Sequence, residues 1–93
     1  MTLEIISPEA TLYKGDATSV TAPGVMGSFQ ILENHAAIAS VLQEGELVIK
    51  GLDRQLLAST HADSFQTKAD STTIEIKGGA VEMKNNTLIV LID

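Results

Sequence analysis

Apolar and polar positions alternate with a period of two along most of this chain. Leu3 and Ile5 alternate with Thr2 and Glu4 until Ile6-Ser7-Pro8-Glu9 breaks the run at a proline turn. Leu12–Asp16 reads as a short strand closed by Gly15-Asp16, and Ala17–Ala22 alternates again before Pro23-Gly24 ends it. Further runs fall at 29–32, 38–42 and 46–50, the last two divided by Gln43-Glu44-Gly45. Gly51-Leu52-Asp53 then turns the chain towards a run over 54–60. Leu52, Leu56 and Leu57 would also suit a helix over 52–62, but the β-rich surroundings favour a strand.

The last third is the most regular. Ile74 and Ile76 alternate with Thr73, Glu75 and Lys77; Gly78-Gly79 marks a bend; Val81 and Met83 then alternate with Glu82 and Lys84. Asn85-Asn86 forms a two-residue turn whose residues tolerate positive φ, as a tight hairpin requires. Thr87–Ile92 is apolar on both faces, which suits a central or doubly covered strand. Strands at roughly 8–12-residue spacing, punctuated by Gly, Pro and Asn, predict an all-β domain: an antiparallel sandwich or barrel. Thr60–Ser71 is the one polar stretch long enough for a loop or a mobile insertion.

Composition narrows the classes. Ninety-three residues hold one domain, since a typical one takes roughly 100–150. The absence of Cys excludes disulfides, thiolate metal sites and a cysteine nucleophile together. Six basic residues against twelve acidic ones give a net charge of −6, and the basic ones are scattered. Nucleic acid and anionic lipid both ask for a concentrated basic face, so both are disfavoured as partners. The longest apolar run, Leu88–Ile92, is far short of the ~20 residues of a spanning helix. The N-terminal residues lack the basic and apolar regions of a secretory signal, so the chain reads as a cytoplasm-type domain.

Little of the sequence suggests chemistry. His61-Ala62-Asp63 could be half of a metal site, but with no third ligand nearby it reads as a solvated loop. No spacing pairs His35 with a nucleophile such as Ser40 or an acid such as Asp16, so it reads as a structural or interface histidine. Pro23-Gly24-Val25-Met26-Gly27-Ser28 has the glycines of a phosphate loop without its lysine, and a strand follows it. Met26, flexible and apolar between two glycines, suits docking on another surface as well as folding back onto the core. No catalytic, cofactor-binding or metal residue is predicted.

Ser7-Pro8-Glu9, Leu12, Gly15 and Val20-Thr21-Ala22-Pro23-Gly24, followed by Gly27 through Ala36 with His35, then Ser40, Leu42, Glu44-Gly45 and Leu47, resemble one family. Ile76-Lys77-Gly78-Gly79-Ala80-Val81-Glu82-Met83-Lys84-Asn85-Asn86 and Val90-Leu91 continue the likeness. The chain resembles the epsilon subunit of F-type ATP synthases (delta in mitochondrial naming) over 2–50 and 74–93. The resemblance implies an antiparallel β-sandwich of about ten short strands in two sheets over 1–93. It also implies a non-catalytic rotor subunit without a cofactor, monomeric when isolated, that clamps the gamma subunit and rests on the membrane c-ring. Its place would be the cytoplasmic face of the inner membrane, peripherally, within the complex. By the same likeness Met26, Gly27 and Ser28 face the c-ring, and Ser7, His35 and Ser40 lie towards gamma.

Three departures bear on this. Many relatives have Gly-x-x-Pro-Gly-His-Ala-Pro around the histidine, whereas this chain has Gln30, Glu33, Asn34 and Ala37; fewer prolines predict a looser loop. The 51–73 segment exceeds the common length and is expected to hold an insertion, such as a longer hairpin. The chain also stops at Asp93, where many bacterial relatives continue into a helical hairpin that can inhibit hydrolysis. A naturally short member and a shortened piece both fit, and the start at Met1 favours the first. A rival reading is a small β-sandwich ligand- or protein-binding module with a cleft lined by Tyr13, Phe29 or Phe65, although three aromatics are few for such a platform. A hydrolase is less favoured, since no nucleophile–base pair can be named.

Overall fold

Asn85 and Asn86 hold φ of 53° and 55°, the left-handed geometry that a two-residue hairpin turn demands. They join β9 (Gly79–Lys84) to β10 (Thr87–Ile92), paired from Lys84↔Thr87 to Gly79↔Ile92. The computed structural model describes residues 1–58 and 61–93. Its other strands are β1 (Thr2–Ile6), β2 (Thr11–Asp16), β3 (Ser19–Gly24), β4 (Gly27–Leu32) and β5 (Ile38–Leu42). β6 (Gly45–Lys50), β7 (Phe65–Lys68) and β8 (Ser71–Ile76) complete the set.

The ten strands form one hydrogen-bonded sheet in the order β2-β1-β10-β9-β5-β3-β6-β8-β7, with β4 paired to β3. The sheet is not purely antiparallel: β1 and β10 run parallel, from Thr2↔Thr87 to Ile6↔Leu91. These strands come from opposite ends of the chain, so no hairpin dictates their direction. The parallel register instead sets Leu3 beside Leu88 and Ile5 beside Val90, all fully buried. The sheet narrows between β5 and β3, whose pairing is the single contact Gly24↔Leu42. On either side of that link, Ile5, Met83 and Val90 from one half share a core with Val20, Ile31 and Ile49 from the other. Alternation places those side chains inward, so each strand contributes to one continuous core.

Within the 51–73 segment, the part expected as a strand differs from that form. No strand runs through 54–58. Arg54–Leu56 is a single 3-10 turn instead, capped by Asp53, whose carboxylate accepts from the Gln55 N–H at 3.0 Å. Leu57 then bridges to Tyr13 in β2. The anchor is the buried Tyr13 phenol, which donates to the Asp16 carbonyl at 2.7 Å and accepts from the Asp53 N–H at 3.1 Å. Burial pushes that phenol's pKa up, and the Asp53 N–H partly opposes the rise. Residues 59 and 60, which end the expected strand and begin the expected loop, lie outside the described residues.

The stretch expected as a loop contains a 3-10 turn at Ala62–Ser64 and an edge strand, β7. Only Phe65 of β7 is buried, while Gln66, Thr67 and Lys68 are exposed, so the strand shows no apolar alternation. β7 forms a hairpin with β8, and its turn holds Ala69 at φ 56°. The left-handed region costs an alanine roughly 1–2 kcal/mol, part of which glycine loses again as unfolded-state entropy. Ala69→Gly is therefore expected to stabilise the domain by about 0.5 kcal/mol. A thermal melt raised by roughly 2–4 °C is the readout, and an unchanged or lower midpoint would contradict it.

Candidate functional site

The glycines of Pro23–Ser28 build a tight hairpin rather than a ligand cradle. Gly24 pairs with Gly27, leaving Val25 and Met26 at the turn between β3 and β4. A Cβ on Gly24 would lie 2.7 Å from the Phe29 ring and 2.8 Å from the Gly27 carbonyl, and Gly27 itself sits at φ 122°. Two bonds fix this tip against β5: the Val25 N–H donates to the Val41 carbonyl at 3.1 Å, and the Gln43 N–H to that of Pro23 at 2.8 Å. Met26 is 97% exposed on a braced support.

Beside the hairpin the outer face of β5, β9 and β10 is largely apolar. Register sets Val41, Ala80 and Leu91 in one cross-strand row and Ala39, Glu82 and Ile89 in the next. Together with Val25 and Met26 they line an open groove of about 680 Å³ in which Glu82 is the one charged lining residue. Val25, Met26, Val41 and Leu91 are four of the six large apolar side chains left exposed among the described residues. The double-sided apolar pattern of Thr87–Ile92 is thereby explained. β10 is central, with Leu88 and Val90 in the core, while Leu91 on its other face stays half exposed.

The residues expected to bind partners are distributed as follows. Met26, Gly27 and Ser28 stay together on the hairpin, all exposed. Ser7, His35 and Ser40 do not converge. Ser7 closes the β1–β2 turn, its hydroxyl 3.3 Å from both the amide and the carbonyl of Ala10. It follows Ile6, which pairs with Leu91, at the Met26 end of the strands. His35 follows β4 at the opposite end, beside the Asn85-Asn86 turn. Ser40 pairs with Val81, half buried, and lines the groove with Met26. Sequence reasoning missed Val41, Leu91 and Glu82, because only the pairing of β5, β9 and β10 brings them together.

The His35 loop is tied down by Glu33 and Asn34, which stand just before the histidine. Glu33 Oε1 accepts from the Met1 ammonium at 2.8 Å, and the Asn34 N–H, at φ 59°, donates to Asn86 Oδ1 at 2.8 Å. His35 itself is exposed, with Nδ1 placed 2.8 Å from the Ala36 carbonyl. The ammonium's hydrogen bond, reinforced by its charge, holds the Glu33 carboxyl below the ordinary glutamate value. Its support of the loop is thus complete above the unfolded glutamate pKa and is lost as pH falls through the depressed folded value. NMR titration should place the Glu33 midpoint below the ordinary glutamate value. A midpoint in the ordinary range would contradict the tie.

Tyr13 and Phe65 belong to the core, and Phe29 is half buried against it, so none of the three lines the groove. Among the described residues no three His, Asp or Glu side chains group as metal ligands, and no helix is long and apolar enough to cross a membrane.

A family model described as the β-sandwich domain of the ATP synthase delta/epsilon chain matches residues 1–93. The chain is 35% identical over 89 residues to the ATP synthase epsilon chain of Chlorobium limicola, covering 96% of this chain and 84% of that one. It is 33% identical over 93 residues to that of Leptospira borgpetersenii, of which it spans 61%. A cryo-EM structure of the Tetrahymena thermophila mitochondrial ATP synthase central stalk and c-ring contains a chain of similar fold. The TM-score is 0.70 at 22% identity, covering 99% of this chain and 62% of that one. At that identity the likeness is one of fold.

Proposed function

The chain belongs to the delta/epsilon β-sandwich family of ATP synthases, and from that premise we propose that it is a non-catalytic stalk subunit linking gamma to the c-ring. We read its curled sheet as that family's two-layered sandwich, folded at the narrow β5–β3 link. Torque transmission needs a body that resists shear, and ten strands closed over one core supply it.

One observation carries this reading beyond kinship: four of the six exposed large apolar side chains among the described residues gather around one groove beside a braced hairpin. Apolar surface concentrated in this way marks an interaction face. The groove suits gamma, and the tip at Met26, Gly27 and Ser28 suits the polar loops of the ring. The location follows from those partners: peripheral, at the membrane surface to which the complex is bound.

Mixing the purified chain with its cognate gamma subunit tests this directly. A stable complex is expected, with the chain's melting temperature rising as gamma is added, because a partner that binds only the folded state stabilises it by mass action. Failure to co-purify with gamma, with no shift in the melt, would remove the proposal.

A further inference from the structure

We infer that the segment seated in the β5–β9–β10 groove presents a cation, an arginine in preference to a lysine, to Glu82, and that this pair selects the partner. The inference rests on the reading of the groove as the gamma-facing surface. Glu82 is exposed on β9 between Ala39 and Ile89, and makes no ion pair among the described residues. Other charges on the same outer face leave it free. Lys14, at the far end of its cross-strand row, lies 3.8 Å from Glu4, and Lys84, two residues along β9, is not within salt-bridge distance.

A partner that covers Val25, Val41 and Leu91 also removes water from Glu82, because all four line the same groove. Burying a carboxylate with no partner costs several kcal/mol, enough to cancel the gain from the apolar contacts. An occupant must therefore bring a compensating charge. Arginine fits a partly buried carboxylate better than lysine, since its guanidinium is planar, bidentate and more weakly hydrated.

The same argument rejects the other candidates for this face. A second copy of the chain packed through the groove would oppose Glu82 to another acidic, apolar face with no cation supplied by the groove. An anionic lipid surface would meet both Glu82 and a net charge of −6. An apolar groove with one unpaired acid thus discriminates by penalty as well as by attraction.

The test measures affinity of the intact chain for its cognate gamma subunit by calorimetry at two salt concentrations. Glu82→Gln should weaken binding about 10-fold or more and flatten the salt dependence, and Glu82→Lys should weaken it about 100-fold. Glu75→Gln, on an exposed site of β8, should change neither. Reversing the charge of one arginine or lysine on gamma should be rescued by Glu82→Lys and by no other variant. If the unaltered chain binds gamma and Glu82→Gln binds equally well, the inference is overturned while the stalk reading stands. If the unaltered chain does not bind gamma, the stalk reading falls first. Self-association of the unaltered chain through the groove, or binding to anionic vesicles abolished by Val41→Asp, would also overturn it.

Discussion

Gly79→Ala is expected to cost the domain about 3–5 kcal/mol, a large share of the roughly 5–15 kcal/mol that holds a small domain folded. Gly79 sits at φ 150°, and a Cβ there would fall on the Leu91 carbonyl oxygen. That oxygen belongs to central strand β10, so it cannot withdraw without disturbing the pairing of both β9 and β1. Gly78→Ala is the informative comparison. Its φ is 157°, but the nearest atom to its Cβ, at 3.0 Å, is a side-chain oxygen of Asp93 that can swing away. The cost at Gly78 should be about half or less. Urea unfolding distinguishes the two, and equal midpoints would mean that the bend relaxes around an added methyl. Gly79, rather than the Gly-Gly pair, is therefore the requirement of the backbone at the edge of the groove.

The second large effect concerns assembly. Met26→Asp should leave the isolated chain's stability within about 0.5 kcal/mol, because the side chain touches little of its own fold. In the assembled enzyme it should weaken seating on the ring by about 2 kcal/mol or more, the scale of an apolar anchor at an interface. Proton-driven ATP synthesis in membranes carrying the variant reads this out, beside binding to isolated gamma. Lost coupling with normal gamma binding is the expected pair of results. Lost gamma binding would instead mean that gamma reaches the hairpin tip as well as the groove floor, and would end the tip's assignment to the ring. Val41→Asp provides the complementary case, with gamma binding impaired and the fold retained, since Val41 points away from the core.

Much of the fold was legible because the sheet's inner face must be apolar and its period is two. The runs at 29–32, 38–42 and 46–50 and the Asn85-Asn86 turn correspond to β4, β5, β6 and the β9–β10 hairpin. Two features escaped for physical reasons. β7 is an edge strand with one buried residue, so its other positions carry no apolar signal. The 54–57 segment shows leucines because Leu57 reaches the core and Leu52 packs against it, although the backbone between them only makes a 3-10 turn. A short apolar run reports that a segment touches the core, without reporting its shape.

The candidate site was legible to a different degree. Met26 stood out because a flexible apolar side chain between glycines is conspicuous in any conformation. His35 stood out by residue type, yet its loop owes its position to Glu33 and Asn34 reaching Met1 and Asn86 across the fold. Sequence by itself determined the strand periodicity, the single core and the family, since these depend on local alternation and on the order of residues. Only the tertiary structure decided that β1 runs parallel to β10, that Ser7 and His35 lie at opposite ends, and that Val41, Leu91 and Glu82 share a groove. The reason is that pairing between distant strands is set by how whole faces pack, and no local stretch of chain encodes which strand will lie beside it.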